Sequence, residues 1–459
     1  MDPREIDGID SADQALQGDA FPLSPAQLGL WYAQHRNPSV AINNAQYVDL
    51  RGDLDTEVLE RVSRIAAGDL QSGFVRLLEI DGVPHQIVDP SLDTPLELVD
   101  LRDAPDPEKA AEEWMRAEYS RPIDIVDDRL IVAAALRLED SRYYWYARVH
   151  HVVLDGFGAM NFMTRVAELY SAAVEGREPE PLEVGDLPDL REAELAYRNS
   201  PRFERDREYW RERIAGLDSA VGLSHRIAPP AARKELSSAT LSESLATRFD
   251  AAVERNVTIR STFLIASVAA FLSQMTGREE VVLSLPVTGR TTALTRRSGG
   301  MLSNIVPLTV RVGHDTTVAE LISEVQVAVA GALRHQLFRH EDIRRDSADP
   351  NGGLFGPLVN VMLFHGGIPF GPILGELTIL STGTVEDLGI NFYENVNGTR
   401  LNIDFEANPD RYTAEENSAH HARFLDFFTA FVDADPSLPV RSVPLLGAQE
   451  RALVLESWN

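Results

Sequence analysis

Hydrophobic positions along this chain mark helices and strands in turn. In residues 55–67 (DTEVLERVSRIAA), Val58, Leu59, Val62, Ile65 and Ala66 recur at helical spacing. Short strands are predicted at 73–79 and 85–88, a helix at 107–119 after the proline-rich DAPDP, and an apolar strand at 129–137. Residues 142–149 (RYYWYARV) combine aromatic and β-branched side chains, as strands prefer. Beyond them Ala159, Phe162, Met163, Val166, Leu169, Tyr170 and Ala173 form the buried stripe of a helix, with Gly176 as its stop. Near the start, Ser24 reads as the cap of a helix whose first turn holds Pro25.

The second half predicts a long helix near 258–275, ended by Gly277, and then the strand VVLSLPV. Residues 350–375, rich in Gly and Pro, read as a loop around one strand, LVNVMLF. At 459 residues the chain exceeds what one hydrophobic core usually serves, so two lobes are expected. The acidic, proline-interrupted segment 177–190 (REPEPLEVGDLPDL) is read as the linker between them. This gives a loose lead-in over 1–20, a first lobe over 21–180, a second over 181–450, and a tail at 451–459.

Composition narrows the chemistry. With 44% hydrophobic and 25% charged residues the chain reads as an ordinary globular protein. No apolar stretch has the length of a membrane span, and the acidic N-terminus lacks the apolar core of a secretory signal. Zero cysteines exclude disulfides, thiolate metal sites and a cysteine nucleophile, which suits the cytoplasm. A net charge of −28 argues against binding a nucleic-acid backbone. Lys109 and Lys234 are the only lysines, and neither adjoins a motif that would support Schiff-base chemistry.

The most informative segment is YYWYARVHHVVLDGFG, where His150, His151, Asp155 and Gly156 form an H-H-x-x-x-D-G core. A strand delivers imidazoles to a loop where a carboxylate and a glycine follow. A histidine of near-neutral pKa can take a proton or hydrogen bond from a nucleophile. Asp155 lies one turn further along, at a separation that suits fixing the loop better than a direct relay. Gly156 would permit positive φ or close approach, and the helix N-terminus behind it would face a developing anion. A structural histidine pair is the bland alternative for the same residues. Metal binding is disfavoured because adjacent strand residues point to opposite faces. No G-x-S-x-G elbow, phosphate loop or dinucleotide fingerprint is present, which leaves direct transfer between two bound partners.

From about residue 21 to the end, the ordered motifs resemble the condensation domains of nonribosomal peptide synthetases, within the chloramphenicol-acetyltransferase-like superfamily. The resemblance is carried by SPAQLGLW, HHVVLDG, EYW (208–210), LPVTGR (285–290), GMLSNIVPL (300–308), HQLFRHEDIRRD (335–346) and LFGPLVNVMLF (354–364). YWY-x-R-x-HH, DGF and TG-x-V-x-DL (382–388) are most similar to the domain that opens the serine-installing component of enterobactin synthase. One position departs: Gln71 stands where many members carry an arginine in L-R-x-x-F.

The resemblance implies an α/β fold of two acyltransferase-like sandwich lobes in a V, with a tunnel between them. It implies amide formation between a carrier-bound acyl donor, of the aryl 2,3-dihydroxybenzoyl type in siderophore assembly, and a carrier-bound aminoacyl acceptor. His151, Asp155 and Gly156 would form the catalytic motif. His150 would be structural, Arg290 would pair with Asp155, and Asn360 would line the tunnel. The domain would bind no cofactor or metal, since its substrates ride on 4'-phosphopantetheine arms. Its partners would be an aryl carrier protein acting in trans, an acceptor peptidyl carrier and a following adenylation domain, to which ERALVLESWN would lead. Rival readings are an epimerization domain, a coenzyme A-dependent acyltransferase and a non-catalytic recruitment domain. A heterocyclization domain is disfavoured because it replaces the core with aspartates.

Overall fold

The computed structural model describes residues 19–93, 95–215, 222–231, 233–348, 355–363, 367–394, 401–447 and 450. Most of the expected lead-in and all of the tail at 451–459 lie outside these residues. Contacts divide the chain into two compact units. The first takes the described residues up to Ser200 together with Thr288–Ser303 and 367–384, and the second takes the rest.

In the first unit a six-stranded sheet runs in the order Ile368–Phe370, Ile373–Thr382, Asn43–Arg51, Arg142–His150, Ile131–Glu139, Glu97–Asp100. Neighbours are antiparallel except the last pair. Every residue of Arg142–His150 is buried, because helices cover both faces of this strand. Its alternation sends Tyr143, Trp145 and Ala147 against Phe162, Met163 and Val166 of helix Gly156–Glu175. Tyr144 and Tyr146 go the other way, against Ala111 and Met115 of helix Pro107–Tyr119. Burial of each large side chain contributes roughly 1.5–3 kcal/mol, which makes this strand a rigid platform for the motif that follows.

Local signals place most of these elements. Asp55 caps helix Thr56–Asp69, and Gly176 ends the motif helix in the left-handed region at φ 67°. The helix expected at 107–119 spans Pro107–Tyr119, and the two strands after it appear as Ile131–Glu139 and Arg142–His150. The long helix of the second half is Arg260–Thr276, stopped by Gly277 at φ 69°.

The expected linker is different. Within it Asp186 caps a helix, Leu187–Arg198, whose first turn takes Pro188 without loss of a needed N–H. Leu187 and Leu190 are buried with Leu154 and Ala159, so the segment is tied into the first unit. The division therefore falls after Ser200 rather than after 180, and two later segments leave the supposedly continuous second lobe. The expected single strand of 350–375 is likewise joined by two more, Ile368–Phe370 and Ile373–Thr382. Gly371, at φ 57°, and Pro372 form the two-residue turn of a hairpin, since Phe370 pairs with Ile373. A dipeptide that reads as a loop breaker is here the turn itself.

The second unit holds its own six-stranded sheet, in the order Asn304–Arg311, Glu280–Val287, Leu358–Met362, Leu388–Glu394, Leu401–Ala407, Glu235–Thr240. Leu358–Met362 is parallel to both neighbours and the other pairs are antiparallel. Helices Glu243–Arg255, Arg260–Thr276 and Ala414–Asp433 supply a phenylalanine-rich core that includes Phe249, Phe263, Phe271, Phe424 and Phe428. No single helix among the described residues is long and apolar enough to cross a membrane.

Candidate active site

The two histidines of the motif meet opposite environments. His150 ends the central strand and is fully buried. Its Nδ1 accepts from the Val152 N–H at 3.2 Å, which assigns the ring proton to Nε2, and Nε2 donates to Gln34 Oε1 at 3.0 Å. Burial, aided by the neighbouring charges of His151 and Arg148, pushes its pKa down to about 3. His150 is thus neutral and spent on structure.

Gln34 belongs to helix Pro25–Arg36, where Ser24 and Gln27 form a capping box and Pro25 opens the first turn. Gln27 pairs reciprocally with Gln86 and also donates to the Val152 carbonyl at 3.0 Å. The opening segment, read from sequence as cap and core only, therefore grips the motif loop at two points.

His151 follows directly and its main-chain N–H donates to the Ile42 carbonyl at 2.9 Å. Its ring is half-buried. Nδ1 is buried and, among the described residues, has no partner beyond its own main chain. Burial lowers its pKa, while the Asp155 charge works against that shift, and the net direction is down. The neutral imidazole is the resting form at pH 7. Gly383, at φ 96°, closes one side: a Cβ there would lie 3.6 Å from His151 Cδ2.

Asp155 caps helix Gly156–Glu175 and is wholly buried. Oδ1 accepts from the Gly158 N–H at 2.8 Å. Oδ2 accepts from Arg290 Nη1 at 2.6 Å, from Leu302 N–H at 2.9 Å and from Ser303 N–H at 2.7 Å. Burial alone would raise its pKa, but the Arg290 charge and these donors outweigh that, and the shift is downward. Arg290 also donates to the carbonyls of Thr288, Gly299 and Gly300 and lies over the Phe157 ring. The ion pair ties segment 288–303 to the motif helix. It also changes the helix N-terminus: that positive end is occupied by the protein's own carboxylate rather than left open for a reacting anion.

Glycine roles differ from those expected. Gly156 has no positive φ and a Cβ there would meet nothing within 4 Å, so neither steric reason for it holds. The demanding position is Gly158, two residues on. A Cβ there would sit 2.6 Å from Leu154 Cδ1 and 3.2 Å from both Arg290 Nη2 and the Gly300 carbonyl. The signal was visible in DGFG, but nothing in one sequence tells which glycine is crowded.

Gln71 sits in the left-handed region at φ 59°, and its Oε1 accepts from the Leu187 N–H at 2.9 Å. An arginine carries no acceptor and could not make that bond. Asn360 lies in the second unit, half-buried on strand Leu358–Met362 and in register with Asn391. The structure thus brings His150, His151, Asp155, Gly156 and Arg290 together within the first unit, and Asn360 is not among them.

The family model with the description Condensation domain matches residues 17–455. The dimodular nonribosomal peptide synthase of Bacillus subtilis is 33% identical over 443 residues, covering 96% of this chain and 18% of that protein. Enterobactin synthase component F of Escherichia coli is 28% identical over 436 residues, covering 93% of this chain and 33% of its own length. The chain thus spans at most about a third of these curated relatives, and the enterobactin component is less similar than the dimodular synthase. Among solved structures, the starter condensation domain of rhizomide synthetase RzmA superposes with a TM-score of 0.87 at 31% identity, covering 95% of this chain and 100% of that one.

Proposed function

This chain belongs to the condensation-domain family, the amide-forming acyltransferases of nonribosomal peptide synthetases, and we propose that it joins a carrier-bound aryl donor to a carrier-bound aminoacyl acceptor. The acceptor α-amine attacks the donor thioester carbonyl. The C–N bond forms, the C–S bond breaks, the amine gives up one proton, and the donor carrier keeps a free thiol. His151 accepts the amine's proton and returns one to the departing sulfur. With Nδ1 turned to its own main chain, Nε2 is the nitrogen left to meet the amine.

The single observation that carries this reading is a half-buried imidazole neither of whose ring nitrogens bonds another described residue, next to a carboxylate that is fully bonded. An α-amine titrates at roughly 7.7–8, so much of it is already neutral at cellular pH. General-base help of about 10²–10⁴-fold is therefore the smaller part. Positioning of two tethered reactants, on the order of 7–11 kcal/mol, is the larger. Asp155 and Arg290 serve the second task by holding the loop, and Gly156 provides no more than the helix's first residue.

An aryl donor of the 2,3-dihydroxybenzoyl type, in a siderophore pathway, is supported by the motifs shared with the enterobactin component and by its 28% identity. A fatty acyl donor is the second reading, favoured by one observation: the rhizomide starter domain is in complex with C8-CoA. The carriers are then an aryl or acyl carrier on the donor side and a peptidyl carrier on the acceptor side.

The test loads a donor carrier with aryl or fatty acyl groups, supplies aminoacyl carriers, and follows the amide by mass spectrometry. Amide from carrier-bound donors but not from free coenzyme A thioesters supports the proposal. Amide from coenzyme A thioesters alone would make the chain a coenzyme A-dependent acyltransferase. No product with any pair would favour a recruitment role.

A further inference from the structure

Resting on the role proposed for His151, we propose that Gln34 is a positioning residue for that imidazole, acting through His150 and the peptide between His151 and Val152. Gln34 is buried, and its Nε2 donates to the carbonyls of Asn37, Pro38 and Val40 at 3.3, 3.4 and 3.1 Å. Carbonyls only accept, so the amide has one orientation, and Oε1 must face His150 Nε2. His150 in turn has one tautomer, because the Val152 N–H facing Nδ1 only donates. The chain of bonds ends on the peptide that follows His151. On the other side the His151 N–H is held by the Ile42 carbonyl. The catalytic side chain thus hangs from a Cα pinned through both flanking peptides, one of them through Gln34.

A side chain at 34 without an acceptor releases the Nε2 proton of His150. The ring is then free to take the other tautomer, which would set a donor against the Val152 N–H and shift the turn. Gln34→Met keeps length and volume but has no strong acceptor. Gln34→Glu, protonated among the three carbonyls, keeps one acceptor and one donor. Misplacing a reacting group by about 1 Å can cost about 100-fold. We therefore expect kcat to fall about 10- to 100-fold in Gln34→Met with KM within about twofold, and Gln34→Glu to lie between that variant and the wild type.

The experiment measures amide formation with whichever carrier-loaded donor and aminoacyl carrier give the wild type its highest rate. It compares Gln34→Met, Gln34→Glu, His151→Ala and the double variant Gln34→Met/His151→Ala. In parallel, ¹⁵N-histidine NMR reads the His150 tautomer. The expected result is that Gln34→Met costs nothing further once His151 is gone, and that His150 carries its proton on Nε2 in the wild type but loses that preference in Gln34→Met. The proposal is overturned by wild-type kcat in Gln34→Met, or by an equal loss in the His151→Ala background. An Nδ1–H tautomer in the wild type also overturns it, a result that stands even if Gln34→Met does not fold. Wild-type turnover in His151→Ala would instead overturn the reading beneath it, and is seen separately.

Discussion

The two ends of one short motif are treated in opposite ways. At Asp155 four donors saturate a carboxylate that is entirely enclosed. Four residues earlier, neither ring nitrogen of His151 bonds another described residue: Nδ1 turns to its own main chain and Nε2 is left over. A group that satisfies all its bonds within the protein has nothing to offer a substrate, and a group held ready must be left short of partners. The contrast teaches that proximity in a motif does not mean shared chemistry: Asp155 builds the loop and His151 is what the loop presents.

The comparison can be broken at either end. His151→Ala is expected to lower kcat by about 10²–10⁴-fold with melting temperature nearly unchanged, read by single-turnover amide formation and thermal unfolding. Asp155→Ala should act mainly on stability. It leaves the buried Arg290 guanidinium and three main-chain N–H donors uncompensated, at a cost of about 3–5 kcal/mol in denaturant unfolding. A loss under about 1 kcal/mol would show that the pair does not hold the loop.

Acid should expose the same difference. Folded His150 stays neutral down to about pH 3, whereas the unfolded chain protonates it near 6.5. Between those values the unfolded state binds more protons. Stability is therefore full above about 6.5 and falls by about 1.4 kcal/mol per pH unit as pH drops towards 3. His151 and His421, shifted down by burial too, steepen the fall. The Asp155 contribution is lost only below the ordinary carboxylate range. Urea midpoints that stay flat between about pH 6.5 and 5 would contradict this. The smallest effect sharpens the glycine contrast: Gly158→Ala should destabilise by about 1–3 kcal/mol, and Gly156→Ala should be neutral or stabilise by under about 1 kcal/mol, in the same assay.

Much of this was legible because local chemistry decided it. Ser24–Pro25 starts a helix, and Gly176 and Gly277 end two others, each by a rule confined to a few residues. The aromatic strand and the motif behind it were readable for the same reason. What stayed hidden depended on residues far apart in sequence. Leu187 and Leu190 turn a proline-rich linker into a docked helix only because Leu154 and Ala159 offer a surface. Gln34 meets His150 across 116 positions, and Gly158 is crowded by a segment that returns near residue 300. The Asp155–Arg290 pair spans 135 positions and was expected from family resemblance, not from spacing.

The most direct test follows the protonation of the His151 ring itself. In ¹⁵N-histidine NMR, with His151→Ala used to identify its signals, the ring should be neutral at pH 7 and titrate below 6.5, the ordinary value. A ring that is already protonated at pH 7, with its midpoint above 6.5, would mean that Asp155 holds it as a charged partner, and the separation of the two ends would be wrong.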